Sequence, residues 1–167
     1  MKRMTAFFLA VVIGVAVPTT IAPTAHADDK QHTQQLWEAT TLTNKLRLST
    51  SARSAKPIAT CSVGTDGGIC TISRGKSADR TISLSLGLTR SVAASSLGFS
   101  SAKSVSTTVS CQSPVMKRGS VWRAWAVGHY WKYKAQKVTY VDGVLVNTQT
   151  SGYLYAFNPG ASRIHCA

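Results

Sequence analysis

Between Thr81 and Cys111 the chain alternates. Ile82, Leu84, Leu86, Leu88 and Val92 are apolar, and Thr81, Ser83, Ser85, Gly87, Thr89 and Ser91 separate them. A period of two is the spacing of a β-strand with one apolar and one polar face. After Ala93-Ala94-Ser95-Ser96 a second phase sets Leu97, Phe99, Val105 and Val109 against Gly98, Ser100, Ala102, Ser104, Ser106, Thr108 and Ser110. The pattern predicts two long amphipathic strands joined at a small-residue tip. Arg90 and Lys103 interrupt the apolar phase with charge.

Beyond Cys111 the chain turns at Ser113-Pro114 and again near Arg118-Gly119. Val121 to Val141 is dense in aromatic and β-branched residues and is interrupted once, at Gly128. It reads as one long strand with a bulge, or two strands, at the glycine. Asp142-Gly143 then predicts a type I′ hairpin between Lys137–Val141 and Val144–Thr148, since both turn positions need positive φ. Tyr153, Tyr155 and Phe157 alternate in a final strand, closed by Asn158-Pro159-Gly160. From Ala59 onward the pattern is β throughout, with no βαβ alternation. The expected fold is mainly β, an antiparallel sandwich or an elongated sheet, over a single domain at 59–167.

The N-terminal part reads differently. Lys2 and Arg3, an apolar run from Ala6 to Val17, and Ala25-His26-Ala27 have the form of a secretory signal at 1–27. The run is shorter than the roughly 20 residues a membrane-spanning helix needs. Residues 28–58 are expected to be an N-terminal extension. A short helix from about Thr33 to Arg47 would line Leu36, Trp37, Leu42 and Leu46 along one side, although the threonines lower its propensity.

Composition sharpens the compartment. The chain of 167 residues carries a formal charge of +13; with residues 1–27 removed, and Lys2 and Arg3 with them, 17 basic side chains stand against 6 acidic ones, +11 over 140 residues. Such a charge favours anionic partners: envelope polymers, acidic membrane surfaces or polysaccharide. Nucleic acid is the weakest of these, because no basic helix face or motif spacing for it is present. Cys61, Cys70, Cys111 and Cys166 are even in number, which in an exported chain reads as two disulfides with three connectivities open. Cys61–Cys70 and Cys111–Cys166 is the favoured pairing. The first pair flanks the turn Gly64-Thr65-Asp66-Gly67-Gly68, and the second ties the hairpin's exit to the C-terminus.

Catalysis finds little material. Asp28 and Asp29 sit at the expected mature terminus, Asp66 and Asp142 in turns, leaving Glu38 and Asp79. There is no G-x-S-x-G elbow, H-E-x-x-H, phosphate loop or calcium loop. The expectation is a protein that is not an enzyme and uses no metal or cofactor. Its contact surface is expected on Trp125, His129, Trp131 and Tyr133, which alternation places on one face with Trp122 on the other, together with the Lys132, Lys134 and Lys137 cluster.

Two resemblances follow from these residues. The AHA cleavage site, the C-x8-C pair, the Ser/Thr-rich segment ending in VSC and the C-terminal SGYLYAFNPG followed by a last cysteine resemble small exported β-proteins of actinomycetes. That likeness implies secretion and two disulfides. Locally, Thr81 to Val121 is similar to the insertion region of aerolysin-type β-pore-forming toxins, with Ser113-Pro114 and Gly119-Ser120 leading into Val121-Trp122. It implies a membrane hairpin whose lipid-facing residues are Ile82, Leu84, Leu86, Leu88, Val92, Leu97, Phe99, Val105 and Val109, and oligomers only in that case. Arg90 and Lys103 would fall on the lipid side, at about 2–4 kcal/mol each near the bilayer centre.

The leading expectation is therefore a secreted cationic binding protein for an envelope or extracellular anionic target. Pore formation through 81–111 is the first alternative. Inhibition of a protease by the Cys61–Cys70 loop around Asp66 is the second.

Overall fold

A computed structural model describes residues 34–167. The expected signal at 1–27, and Asp28 and Asp29 after it, lie outside the described residues. Among the described residues the chain forms eight strands and one helix. A six-stranded antiparallel sheet carries β1 (Leu36–Arg53), β2 (Ala59–Ser62), β4 (Thr81–Ile82), β6 (Val121–Val141), β7 (Val144–Thr150) and β8 (Leu154–Cys166). A two-stranded sheet pairs β3 (Thr71–Asp79) with β5 (Ser104–Gln112). The mainly β architecture expected from the sequence is present, with both disulfides in the favoured pairing.

β6 is the spine. Along its 21 residues it pairs with β1 and β2 on one edge and with β7 and β8 on the other. It runs through Gly128 unbroken, and the irregularities lie in its partners. Against β6, β1 slips register three times, between Thr43 and Leu46, Arg47 and Ser49, and Ser49 and Ala52. Asn44, at φ 51, takes the left-handed conformation that the first of these bulges needs. Against β8 one residue of β6, Val127, faces four, Ala126 pairing with Ile164 and Gly128 with Pro159. At that crossing a Cβ on Gly128 would stand 2.1 Å from the Asn158 carbonyl oxygen. The strand therefore requires glycine there for close approach.

Because successive residues of β6 point to opposite faces, its two halves serve two cores. Even-numbered Trp122 and Ala124 pack with Ile72, Val109, Cys61, Cys111 and Cys166 under the β3–β5 sheet. Odd-numbered Trp131, Tyr133 and Ala135 pack with Leu88, Ala93, Leu97 and Ala156 under the helix. The two cores lie on opposite faces of one strand. Both disulfides fasten the small sheet to the large one: Cys61 of β2 to Cys70 immediately before β3, and Cys111 of β5 to Cys166 of β8. With only Ile72, Val109 and Ala124 fully buried in that core, the crosslinks supplement a small apolar area.

Three expectations are corrected. The 81–111 hairpin does not form. β4 ends at Ile82, a turn follows at Leu86 (φ 53) and Gly87 (φ 73), and α1 occupies Arg90–Ser96. The alternation that suggested a strand continues into a capped helix: the Thr89 hydroxyl accepts from the Val92 amide at 3.3 Å. Gly98 at φ 78 closes the other end, with the Phe99 amide donating to the Ala94 carbonyl at 3.0 Å. The apolar set is dispersed. Ile82, Leu88, Leu97 and Phe99 join the helix-side core, Val109 joins the disulfide core, Val105 is half-buried, Leu86 lies in the turn, and Leu84 and Val92 are exposed. β5 takes β3 as its partner. Arg90 donates to the carbonyls of Arg80, Ser101 and Ala102, which explains a cation within an apolar phase.

Second, 28–58 is not wholly an extension. Leu36–Arg53, expected as a short helix within that extension, is an 18-residue strand of the main sheet. Third, the final strand is not closed by Asn158-Pro159-Gly160; β8 continues through it to Cys166. The Asp142-Gly143 hairpin forms as expected, with φ 49 and 80.

Candidate functional site

The seven residues singled out from the sequence lie on one strand and divide between its faces. Tyr133 is fully buried, and its hydroxyl donates to the Ser83 carbonyl at 2.5 Å. Burial pushes its phenol up to about 12. It belongs to the core and not to a contact surface. Trp131, two residues earlier on the same face, packs on that core with the Arg47 guanidinium 5.6 Å over its ring. Trp125 and half-buried His129 share this odd-numbered face further along. Trp125 lies 6.1 Å from the His165 ring and 5.9 Å beneath Arg53. Lys137, also odd-numbered, pairs with Glu38 at 2.8 Å.

Lys132 and Lys134 point the other way. Here the even-numbered face of β6 carries no second layer, and Leu46 of β1 and Tyr155 of β8, the partners of Lys132, are both exposed. The Lys132 ammonium sits 3.7 Å from the centroid of the Tyr153 ring and that of Lys134 4.7 Å from the same ring. Tyr130, next along this face, stacks on Tyr155 with centroids 5.7 Å apart and planes 10° from parallel. Among the described residues neither ammonium has a carboxylate in salt-bridge range. The expected union of rings and lysines therefore exists with different rings. Tyr130, Tyr153 and Tyr155 replace Trp125, Trp131 and Tyr133.

The strip from Tyr130 to Lys134 is about 13 Å long at roughly 3.3 Å per residue. At its Tyr130 end it meets a pocket of about 520 Å³ whose walls include Ala52, Ala55, Lys56, Asp79, Tyr130 and Phe157. The pocket marks a boundary. Ala124, Ala126 and Gly128, further along the same face, are buried, and the small sheet contributes Asp79 to the pocket's lining.

A cation over an aromatic face gains about 0.5–1 kcal/mol at an exposed site, and the shared Tyr153 ring holds the two ammoniums in a defined spacing. They keep their N–H donors for an anion. The tyrosine faces offer apolar area with a hydroxyl at the end of each ring. Such an arrangement can bind a molecule that alternates negative charge with flat or apolar surface.

The Asp66 loop between Cys61 and Cys70 is pinned to the neighbouring turn. Asp66 accepts from the Arg118 amide at 2.8 Å, and Gly68 bridges to Met116. Among the described residues no group of three or more histidine, cysteine, aspartate or glutamate side chains converges as a metal site would require. None of the described helices is long and apolar enough to cross a membrane. No family model, curated protein or solved structure matches the chain.

Proposed function

We propose that this protein is an exported, non-catalytic binding domain for an anionic polymer of the cell envelope or extracellular space, held along the even-numbered face of β6. The observation that carries the reading is the placement of two unpaired ammoniums, Lys132 and Lys134, over one exposed ring beside the stacked Tyr130–Tyr155 pair. The ammoniums attract carboxylate or phosphate groups, and the rings cover the apolar parts of the repeating unit between them. Export is supported by the two disulfides, which persist in oxidising compartments, and by the leader pattern of 1–27. The excess of 17 basic over 6 acidic side chains outside Lys2 and Arg3 raises the local concentration of an anionic target.

Cosedimentation of the oxidised protein with bead-linked polygalacturonate and bead-linked poly(glycerol phosphate), with neutral dextran beads as control, tests it. Binding to at least one anionic matrix, none to dextran, and weakening as salt screens the charges is the expected result. The double variant Lys132→Gln/Lys134→Gln should lose at least about tenfold in affinity with an unchanged melting temperature. Retention by neither anionic matrix, or equal retention of the double variant, overturns the proposal.

A further inference from the structure

We infer that the site reads the end of its polymer rather than the middle, the terminal unit entering the pocket beside Tyr130 while the chain lies along the lysine strip. The inference rests on the binding reading above and adds a direction and a stoichiometry to it. The strip is open at one end and blocked at the other. Beyond Lys134 the same face continues through Gln136 and Val138, and the adjoining strand β7 is exposed at every residue, so an extended chain meets no wall. Toward the N-terminus of β6 the surface stops. Ala124, Ala126 and Gly128 are buried, and the even-numbered face passes under the β3–β5 sheet that the two disulfides hold down.

The pocket lies where the bare face runs into the covered one. Tyr130 belongs to both, stacking on Tyr155 of the strip and lining the pocket. Phe157, Ala52 and Ala55 give it an apolar lining, with Lys56 and Asp79 also on its walls. Both signs of charge beside an apolar wall suit a terminal unit with more free donors and acceptors than an internal one. A polymer crossing the site in both directions would have to pass through the small sheet. A chain end does not.

Titration calorimetry of the full oxidised protein against size-fractionated polygalacturonate and size-fractionated poly(glycerol phosphate) separates the alternatives. One protein bound per chain at every chain length, with affinity unchanged beyond the first few units, is the expected result. A number bound that grows in proportion to chain length overturns end recognition while leaving anionic-polymer binding standing. Absence of binding at any length of either polymer overturns both. Ala55→Trp and Thr81→Trp fill the pocket from two different elements at exposed positions. Each should weaken binding about tenfold or more, with the melting temperature reporting that the fold is intact. Unchanged affinity and stoichiometry in a folded variant also overturn the inference.

Discussion

The Lys132 ammonium lies 3.7 Å from the centre of the Tyr153 ring, and this contact joins β6 to the loop leading into β8. Lys134 approaches the same ring from the next position on that face, at 4.7 Å. Removing the ring should therefore release both charges at once. Tyr153→Ala is expected to reduce polymer affinity about as much as removing one lysine, and Tyr153→Phe to leave it nearly unchanged, as measured by retention on anionic beads. A Phe variant as weak as the Ala variant would assign the role to the hydroxyl instead.

Lys137 provides the contrast. It stands on the opposite face and pairs with Glu38 at 2.8 Å. Lys137→Gln removes the same formal charge as either strip lysine, yet should change polymer affinity less than about twofold. A surface ion pair of this kind contributes at most about 1 kcal/mol to stability. Equal losses for Lys137→Gln and Lys132→Gln would mean that net charge alone governs binding.

The alkaline limb of stability should carry a signature of Tyr133. Burial raises its pKa from 10.0 to about 12, so the native state prefers the neutral phenol. The contribution is whole below pH 10, the ordinary value, and drains as pH rises toward 12. At 1.36 kcal/mol per pH unit between 10 and 12, its full size is at most about 2.7 kcal/mol. Tyr133→Phe removes the bond to the Ser83 carbonyl, at about 1 kcal/mol near neutrality, and should flatten the fall above pH 10. Urea midpoints at pH 7 and above pH 10 for both proteins measure this.

Loss of each disulfide separately should destabilise in order of loop length. In the chain-entropy picture the bridge spanning 55 residues contributes about 4 kcal/mol and that spanning 9 about 2.5 kcal/mol. Paired Cys→Ser variants compared by denaturant unfolding give the ranking. Since both bridges join the small sheet to the large one, either loss should also raise hydrogen exchange in β3 and β5 more than in β7.

Gly128→Ala places a Cβ 2.1 Å from the Asn158 carbonyl oxygen and 2.6 Å from the Pro159 Cα, both backbone atoms that β8 holds in place. A loss of about 3 kcal/mol or more is expected. Gly75→Ala, at an exposed position of β3, meets nothing within 4 Å and should be neutral or slightly stabilising. Thermal melts of the two variants check the pair.

These contrasts show where the sequence is transparent. Strand β6 is legible because β-branched and aromatic residues fill it, and the turn after it because Asp142-Gly143 selects one geometry. The cysteine pairing is legible from the turn between Cys61 and Cys70. β1 is not, because its three bulges break the period of two and leave Leu36, Leu42 and Leu46 at spacings that also suit a helix. At 81–97 the alternating leucines conceal a helix whose capping residues, Thr89 and Gly98, were nonetheless present as signals.

The candidate site divides in the same manner. Alternation alone separates Lys132 and Lys134 from Trp131 and Tyr133. That Tyr153 and Tyr155 are the rings beside those lysines depends on the β6–β8 register, a pairing between distant segments that no local pattern encodes.

Serving two cores from one uninterrupted strand also fixes what lengths of change β6 can accept. Inserting or deleting one residue between Ala126 and Trp131 would turn one half over relative to the other, exchanging Tyr133 and Ala135 with Lys132 and Lys134 or exposing Ala124 in place of Trp125. A two-residue change preserves the faces and only slides the halves along the strand axis. In a library of single-codon and double-codon indels across 127–130, survivors should be enriched in changes of even length, giving the spine a parity that composition does not reveal.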